Sequence, residues 1–207
     1  MISLSVLSVF VPTFFMVSLT PGLCMTLSMT LGMTIGVRRA MWMMLGELVG
    51  VGLVAVSAVI GVATLMLRYP EIFAAFKWLG GAYLIYLGVM MWRSKGRMAI
   101  PDASDAAPSV TPMQLIVQGF VTAVANPKGW AFFIALLPPF LDAGRPMAPQ
   151  LAVLVGMILT LELTCLLIYA GGGRTASRFL RRDGNVRLLN RVAGSLMVGV
   201  GVWLALG

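Results

Sequence analysis

An apolar run of 34 residues, Ile2–Ile35, contains no charged side chain, yet Pro21-Gly22 sits close to its middle. As one helix rising ~1.5 Å per residue it would extend ~51 Å, well beyond the ~30 Å of bilayer hydrocarbon. A segment of that length must tilt, bend or break. Proline removes a backbone donor and clashes with the preceding turn, and glycine adds freedom beside it, so the sequence predicts a break within Thr20–Leu23. At membrane depth, non-helical backbone persists only where it is buried in protein or lines a wet cavity. The broken run therefore predicts a polar site in the middle of an apolar chain.

The rest of the chain sets that run in a membrane. Of its 207 residues, 59% are hydrophobic and 11% charged, with a mean hydropathy of +0.96; a soluble domain has roughly 45–50% and ~25%. Six spans are predicted, at about 2–35, 40–67, 72–92, 113–141, 147–171 and 186–206. The first apolar run has no basic leader and no small-residue cleavage site, so it is expected to stay as a helix. Eleven basic residues (Arg38, Arg39, Arg93, Lys95, Arg97, Arg174, Arg178, Arg181, Arg182, Arg187 and Arg191) fall on one side of these spans. The other side has Arg68, Lys77 and Arg145. Basic excess marks the cytoplasmic face, which predicts periplasmic termini. The net charge of +8 is thus a topology signal, and with no soluble basic domain it excludes a nucleic-acid partner.

The stretch at 94–112, rich in Pro, Ser, Asp and Ala, divides the spans three and three. The second half opens on TPMQLIVQGFVTAVANPKGWAFFIALLPPFL, an apolar run again interrupted by a proline, at Asn126-Pro127. An odd number of spans per half gives the halves opposite orientations. Corresponding broken helices in inverted repeats point to a transporter's midplane site. The predicted fold is an all-α integral membrane protein of one domain, residues 1–207. It comprises six transmembrane helices in two inverted three-helix repeats, about 1–93 and 113–207, with proline-broken first and fourth helices and a cytoplasmic linker at about 94–112.

Three ionisable residues lie well inside spans, where each costs roughly 2.5–3.5 kcal/mol at the bilayer centre and calls for a partner. They are Glu47, Lys128 and Glu162. A zwitterion has an ammonium and a carboxylate, each costly to desolvate. Lys128 and the N–H groups of a half-helix N-terminus suit the carboxylate; Glu47 or Glu162 suits the ammonium or carries a coupling proton. With Thr20, Pro21, Gly22, Asn126 and Pro127 at the breaks, these residues form the candidate substrate site, and Glu162, deepest in its span, is the candidate for proton coupling.

Other patterns argue for packing. Gly32-xxx-Gly36 and Gly46-xxx-Gly50 match the small-xxx-small contact of membrane helices and predict a possible homodimer face. The sixteen methionines read as adaptable apolar filler. Trp42, Trp78, Trp92 and Trp203 fall near span ends, as in an interfacial belt. Arg174, Arg178, Arg181 and Arg182 share a helical face that suits anionic lipid headgroups. No metal site or cofactor is expected, because no ligand cluster accompanies the methionines. The chain has no histidine and no zinc motif, so it is not expected to be an enzyme.

The chain resembles the LysE/RhtB family of bacterial amino-acid exporters over nearly its full length. TPG at 20–22 is similar to that family's first-helix signature, KWLGGAYLIYLG at 77–88 to its third-helix pattern, and NPKGWAFF at 126–133 to its Asn-Pro-Lys signature. Gly46-Glu47 matches a place where members carry an acid after glycine, and TLEL at 160–163 resembles the leucine-exporting branch. The resemblance implies an inner-membrane exporter of amino acids driven by the proton gradient. Signature roles would fall on Pro21, Gly22, Asn126, Pro127 and Lys128, with Glu47 and Glu162 as the acids. One departure is visible: where the family has Pro-Gly-Pro and a polar residue, this chain has Pro21-Gly22-Leu23-Cys24.

Two other functions fit parts of the pattern. An exporter of small organic cations or drugs would hold its cation on Glu47 and Glu162. A transmembrane thiol-disulfide conduit would use Cys24 beside the first broken proline, but beside Pro127 the second half offers Lys128 and Gly129, and Cys165 lies one helix later.

Overall fold

The computed structural model describes residues 4–94, 110–137, 140–142, 144–180 and 183–206. All regular structure among them is helical: α1 (Leu4–Leu19), α2 (Leu23–Thr34), α3 (Val37–Arg68), α4 (Pro70–Arg93), α5 (Pro112–Val124), α6 (Pro127–Leu136), α7 (Met147–Leu180) and α8 (Asp183–Leu206). Both predicted breaks are present. The α1–α2 pair bends by 59° at Thr20–Gly22, and α5 gives way to α6 at Ala125-Asn126. Val37–Gly61 and Met147–Gly173 are each long and apolar enough to cross a membrane, and the bent α1–α2 pair qualifies as a third such span.

Local signals start the helices where the sequence allows. Thr111 and Gln114 form a reciprocal capping box ahead of α5, and prolines open α4, α5 and α6, positions at which a missing N–H costs nothing. Between α2 and α3, Gly36 adopts φ +82, open to glycine at no steric cost. The fifth apolar segment spans Met147–Gly173, ending within two residues of the predicted 171; at Gly173 (φ 43, ψ −119) the backbone leaves the helical region, and a second helical stretch continues across this kink to Leu180. The 95–109 linker, Arg181, Arg182 and the side chains of Arg68, Lys77, Arg174 and Arg178 lie outside the described residues, as do the topology and lipid contacts expected of them.

Helices pair across the two halves: α4 on α8, α3 on α5, and α2 on α7. The closest approaches are made at glycines. A Cβ on Gly46 would strike the Ile116 backbone of α5, and one on Gly119 would stand 2.9 Å from the Glu47 nitrogen of α3. At Gly50 it would meet the Ala123 Cβ at 2.7 Å, and at Gly32 the Ala170 Cα of α7 at 2.6 Å. Gly32 and the Gly46–Gly50 pair, singled out as small-xxx-small positions, thus bring backbones together within one chain. Gly36, outside any helix, meets nothing. At one end of the α4–α8 pair, Trp92 donates to Ser195 at 3.0 Å beneath the Arg191 guanidinium, and Asn190 donates to Ser94 at 3.1 Å.

Two buried clusters sit at different levels. One is aromatic, with Phe10, Phe14, Phe132, Phe133 and Phe140 in mutual ring contact and Val51, Val54, Leu154 and Ile158 around them. The other is rich in sulfur: Cys24, Met25, Met29, Met43, Met44 and Cys165 with Leu115, Leu166 and Tyr169. The methionines fill the space between glycine-bearing helices, as their flexible thioethers allow. Trp42, Trp78, Trp92 and Trp203 are exposed, as an interfacial belt requires.

Candidate functional site

Between the two clusters lies a cavity of about 70 Å³, bounded by Phe14, Phe132 and Phe133 on one side and by Cys24 and Met25 on the other. That is room for a few water molecules. Both breaks reach it: Ser18, Thr20 and Gly22 from the first, Asn126 and Gly129 from the second, with Glu47 of α3 and Glu162 of α7 completing its polar wall.

The two breaks are built alike. In each, the N–H of the residue before the proline reaches back into the preceding turn, Thr20 to the Met16 and Val17 carbonyls at 3.1 and 3.2 Å and Asn126 to the Ala123 carbonyl at 3.2 Å. In each, a side chain from elsewhere accepts the duty of a helical N–H toward a freed carbonyl. The Tyr169 hydroxyl donates to the Leu19 oxygen at 2.7 Å, and the Trp130 indole N–H to the Val124 oxygen at 2.8 Å. Such pairing is what lets a helix interruption exist in a low-dielectric setting. The breaks also touch each other, because Asn126 Nδ2 donates to Cys24 Sγ at 3.8 Å.

The two acids differ in their surroundings. Glu162 accepts a hydrogen bond from the Ser18 hydroxyl at 2.6 Å, which ties α7 to the last turn of α1. One side of α7 makes two further hydrogen bonds to the first broken span, Tyr169 to Leu19 and, at 2.9 Å, Ser28 to the Leu166 carbonyl. Glu47 is 0% exposed and both of its carboxyl oxygens lack a hydrogen-bond partner among the described residues. The Cys24 thiol and the Glu162 carboxyl lie close enough to interact with it electrostatically. Buried polar groups are normally satisfied, and an orphaned one calls for an explanation.

Of the residues singled out from the sequence, Thr20, Gly22, Glu47, Asn126 and Glu162 converge on this cavity. Thr20 is buried and donates its hydroxyl to Met16 at 2.8 Å, bracing the break. Pro21 falls between two lining residues. The backbones of Pro127 and Lys128 open α6; their side chains lie outside the described residues. Sequence reasoning missed Ser18, Tyr169 and Trp130. Tyr169 had a signal, since it follows Glu162 by seven residues and so shares its helix face. Ser18 and Trp130, three residues before and after the prolines of the two breaks, had only their proximity. The cysteines are free, and the described residues contain no cluster able to hold a metal ion.

The profile described as LysE type translocator matches residues 15–207, which takes in both breaks and both acids of this site. The chain belongs to the LysE type translocator family. It is therefore a membrane transport protein, and the resemblance read from TPG, KWLGGAYLIYLG and NPKGWAFF holds. It is 29% identical over 190 residues (92% of the chain, 91% of the relative) to a protein of Salmonella typhimurium named homoserine/homoserine lactone efflux protein. To a leucine efflux protein of Enterobacter sp. (strain 638) it is 29% identical over 167 residues, 77% of the chain and 76% of the relative. A Pseudomonas aeruginosa membrane protein of uncharacterised function is 35% identical over 166 residues, again 77% and 76%. No solved structure matches the chain.

Proposed function

We propose that this translocator is a secondary-active exporter of amino acids or closely related small zwitterions across the bacterial inner membrane, coupled to proton entry. In this reading it crosses the membrane six times as two inverted halves, with both termini periplasmic. The observation that carries it is the convergence of two proline breaks and two carboxyl side chains on one cavity. Family membership and the names of the efflux relatives support the same reading.

The chemistry follows from the side chains. Glu47, fully buried beside Cys24 and Glu162 and with neither carboxyl oxygen hydrogen-bonded among the described residues, suits an ammonium, because a buried charge needs an opposite one beside it. Lys128, immediately after the second break, suits a carboxylate. Glu162 holds the first broken span through Ser18, so proton uptake or release there changes a contact between α1 and α7. The cavity is small in this conformation, and loading it requires the surrounding helices to part. The organic-cation reading rests on Glu47 and Glu162 sharing the site.

Counterflow in proteoliposomes tests the proposal. Vesicles preloaded with unlabelled L-leucine or L-homoserine should accumulate the labelled amino acid transiently, and vesicles preloaded with organic cations should not. Accumulation of labelled organic cations alone would establish the cation reading instead.

A further inference from the structure

We infer that the N-terminus of α2 is an anion subsite that holds the carboxylate of an α-amino acid while Glu47 holds its ammonium. The inference rests on the exporter reading and names the part of the cavity that selects a zwitterion over a simple amine. The sequence suggests either half-helix as a carboxylate site, and the structure separates them. At α6, proline removes the first N–H, and the N–H groups of Gly129 and Trp130 turn back to the Asn126 carbonyl at 3.1 and 3.4 Å. At α2 the first N–H returned to the preceding turn is that of Thr26, to the Gly22 carbonyl at 2.9 Å. Gly22 is the N-cap and provides no side chain, so the N–H groups of Leu23, Cys24 and Met25 have no side-chain cap. Those three residues and Gly22 all line the cavity. An uncapped helix start attracts anions through its free donors and its dipole.

The second observation is Glu47, fully buried, lining the same cavity, with neither oxygen hydrogen-bonded among the described residues. It lies close enough to Cys24, in the first turn of α2, to interact with it. A donor set and an acceptor set thus stand side by side, as the two charged groups on one α-carbon require. A ligand with only one of them leaves the other set unsatisfied, and sites built on buried hydrogen bonds reject such analogues strongly.

Two measurements test this. L-Leucine should raise the melting temperature of the detergent-solubilised protein, whereas isoamylamine and 4-methylpentanoate, which lack the carboxylate and the ammonium respectively, should give no such protection at about tenfold higher concentration. In counterflow, Gly22→Asp supplies its own carboxylate to the α2 donors. It should lower the preference for leucine over isoamylamine by about ten- to a hundredfold, while Gly199→Ala on α8, where an added Cβ meets nothing within 4 Å, keeps the preference. The N-cap backbone at Gly22 (φ −148, ψ −173) is extended and accepts an aspartate. Protection by isoamylamine equal to that by leucine, or an unchanged preference in Gly22→Asp, overturns the subsite. Leucine counterflow with equal thermal protection by isoamylamine refutes the subsite and leaves the exporter standing; leucine-selective protection without any transport does the reverse.

Discussion

The backbone contact between α3 and α5 gives a sharp test through Gly119→Ala. An added Cβ would stand 2.9 Å from the Glu47 nitrogen and overlap the Met43 carbonyl oxygen. Neither is the end of a flexible side chain, so the two helices must separate. Overpacking of this kind costs about 1–3 kcal/mol, and a clash of backbone with backbone belongs in the upper part of that range, about 2–3 kcal/mol. Alanine in a helix interior recovers roughly 0.5–1 kcal/mol through its propensity. Gly199→Ala on α8 provides the control, since a Cβ there meets nothing within 4 Å and only the propensity gain applies. The two variants should differ by about 2–3 kcal/mol, or ~30- to 150-fold in the unfolding equilibrium. Mixed-micelle SDS titration followed by circular dichroism measures this. Because the strain falls on Glu47, leucine counterflow should drop in Gly119→Ala and remain in Gly199→Ala. Equal stability of the two variants would refute the close approach of α3 and α5.

Pro21→Ala and Pro127→Ala should each restore a helical N–H and straighten a broken span, impairing counterflow while leaving membrane insertion intact; normal transport by both would reduce the breaks to kinks. Glu162→Gln keeps the size of the side chain and its hydrogen bond from Ser18 but cannot ionise. It should lose gradient-driven export and retain substrate exchange, whereas joint loss of both would assign Glu162 to substrate binding. A C-terminal alkaline phosphatase fusion should be active and the matching fluorescent-protein fusion dark; the reverse pattern would overturn the periplasmic termini and the inverted halves.

The breaks were legible in the sequence because a proline acts on its own turn: Thr20–Gly22 and Ala125-Asn126 interrupt their spans where Pro21 and Pro127 predict. Depth within an uncharged run equally marked Glu47 and Glu162, both of which reach the cavity. What such patterns lack is the identity of the facing helix. Gly46-xxx-Gly50 has the same spacing whether it meets a second chain or, as here, α5. For the same reason the lack of a hydrogen-bond partner for Glu47 among the described residues, which depends on what the facing helices bring near it, could not be read from its neighbours in sequence. Tyr169 and Trp130 satisfy carbonyls 150 and 6 residues away; the shorter contact exists only because the helix stops between its partners. The glycines at 171–173 marked the end of the fifth span, which the structure places at Gly173; the helical stretch that continues to Leu180 beyond that kink had no signal in the apolar pattern.

The meeting of the two breaks is tested most directly by a disulfide. Asn126 Nδ2 and Cys24 Sγ stand 3.8 Å apart, so Asn126→Cys in a Cys165→Ala background leaves one pair of thiols, one from each half. With a protease site inserted in the 94–112 linker, oxidised and cleaved protein should run on a non-reducing gel as a single species that separates into two fragments on reduction. Fragments that separate without reductant, from a variant that inserts in the membrane normally, would contradict the shared site.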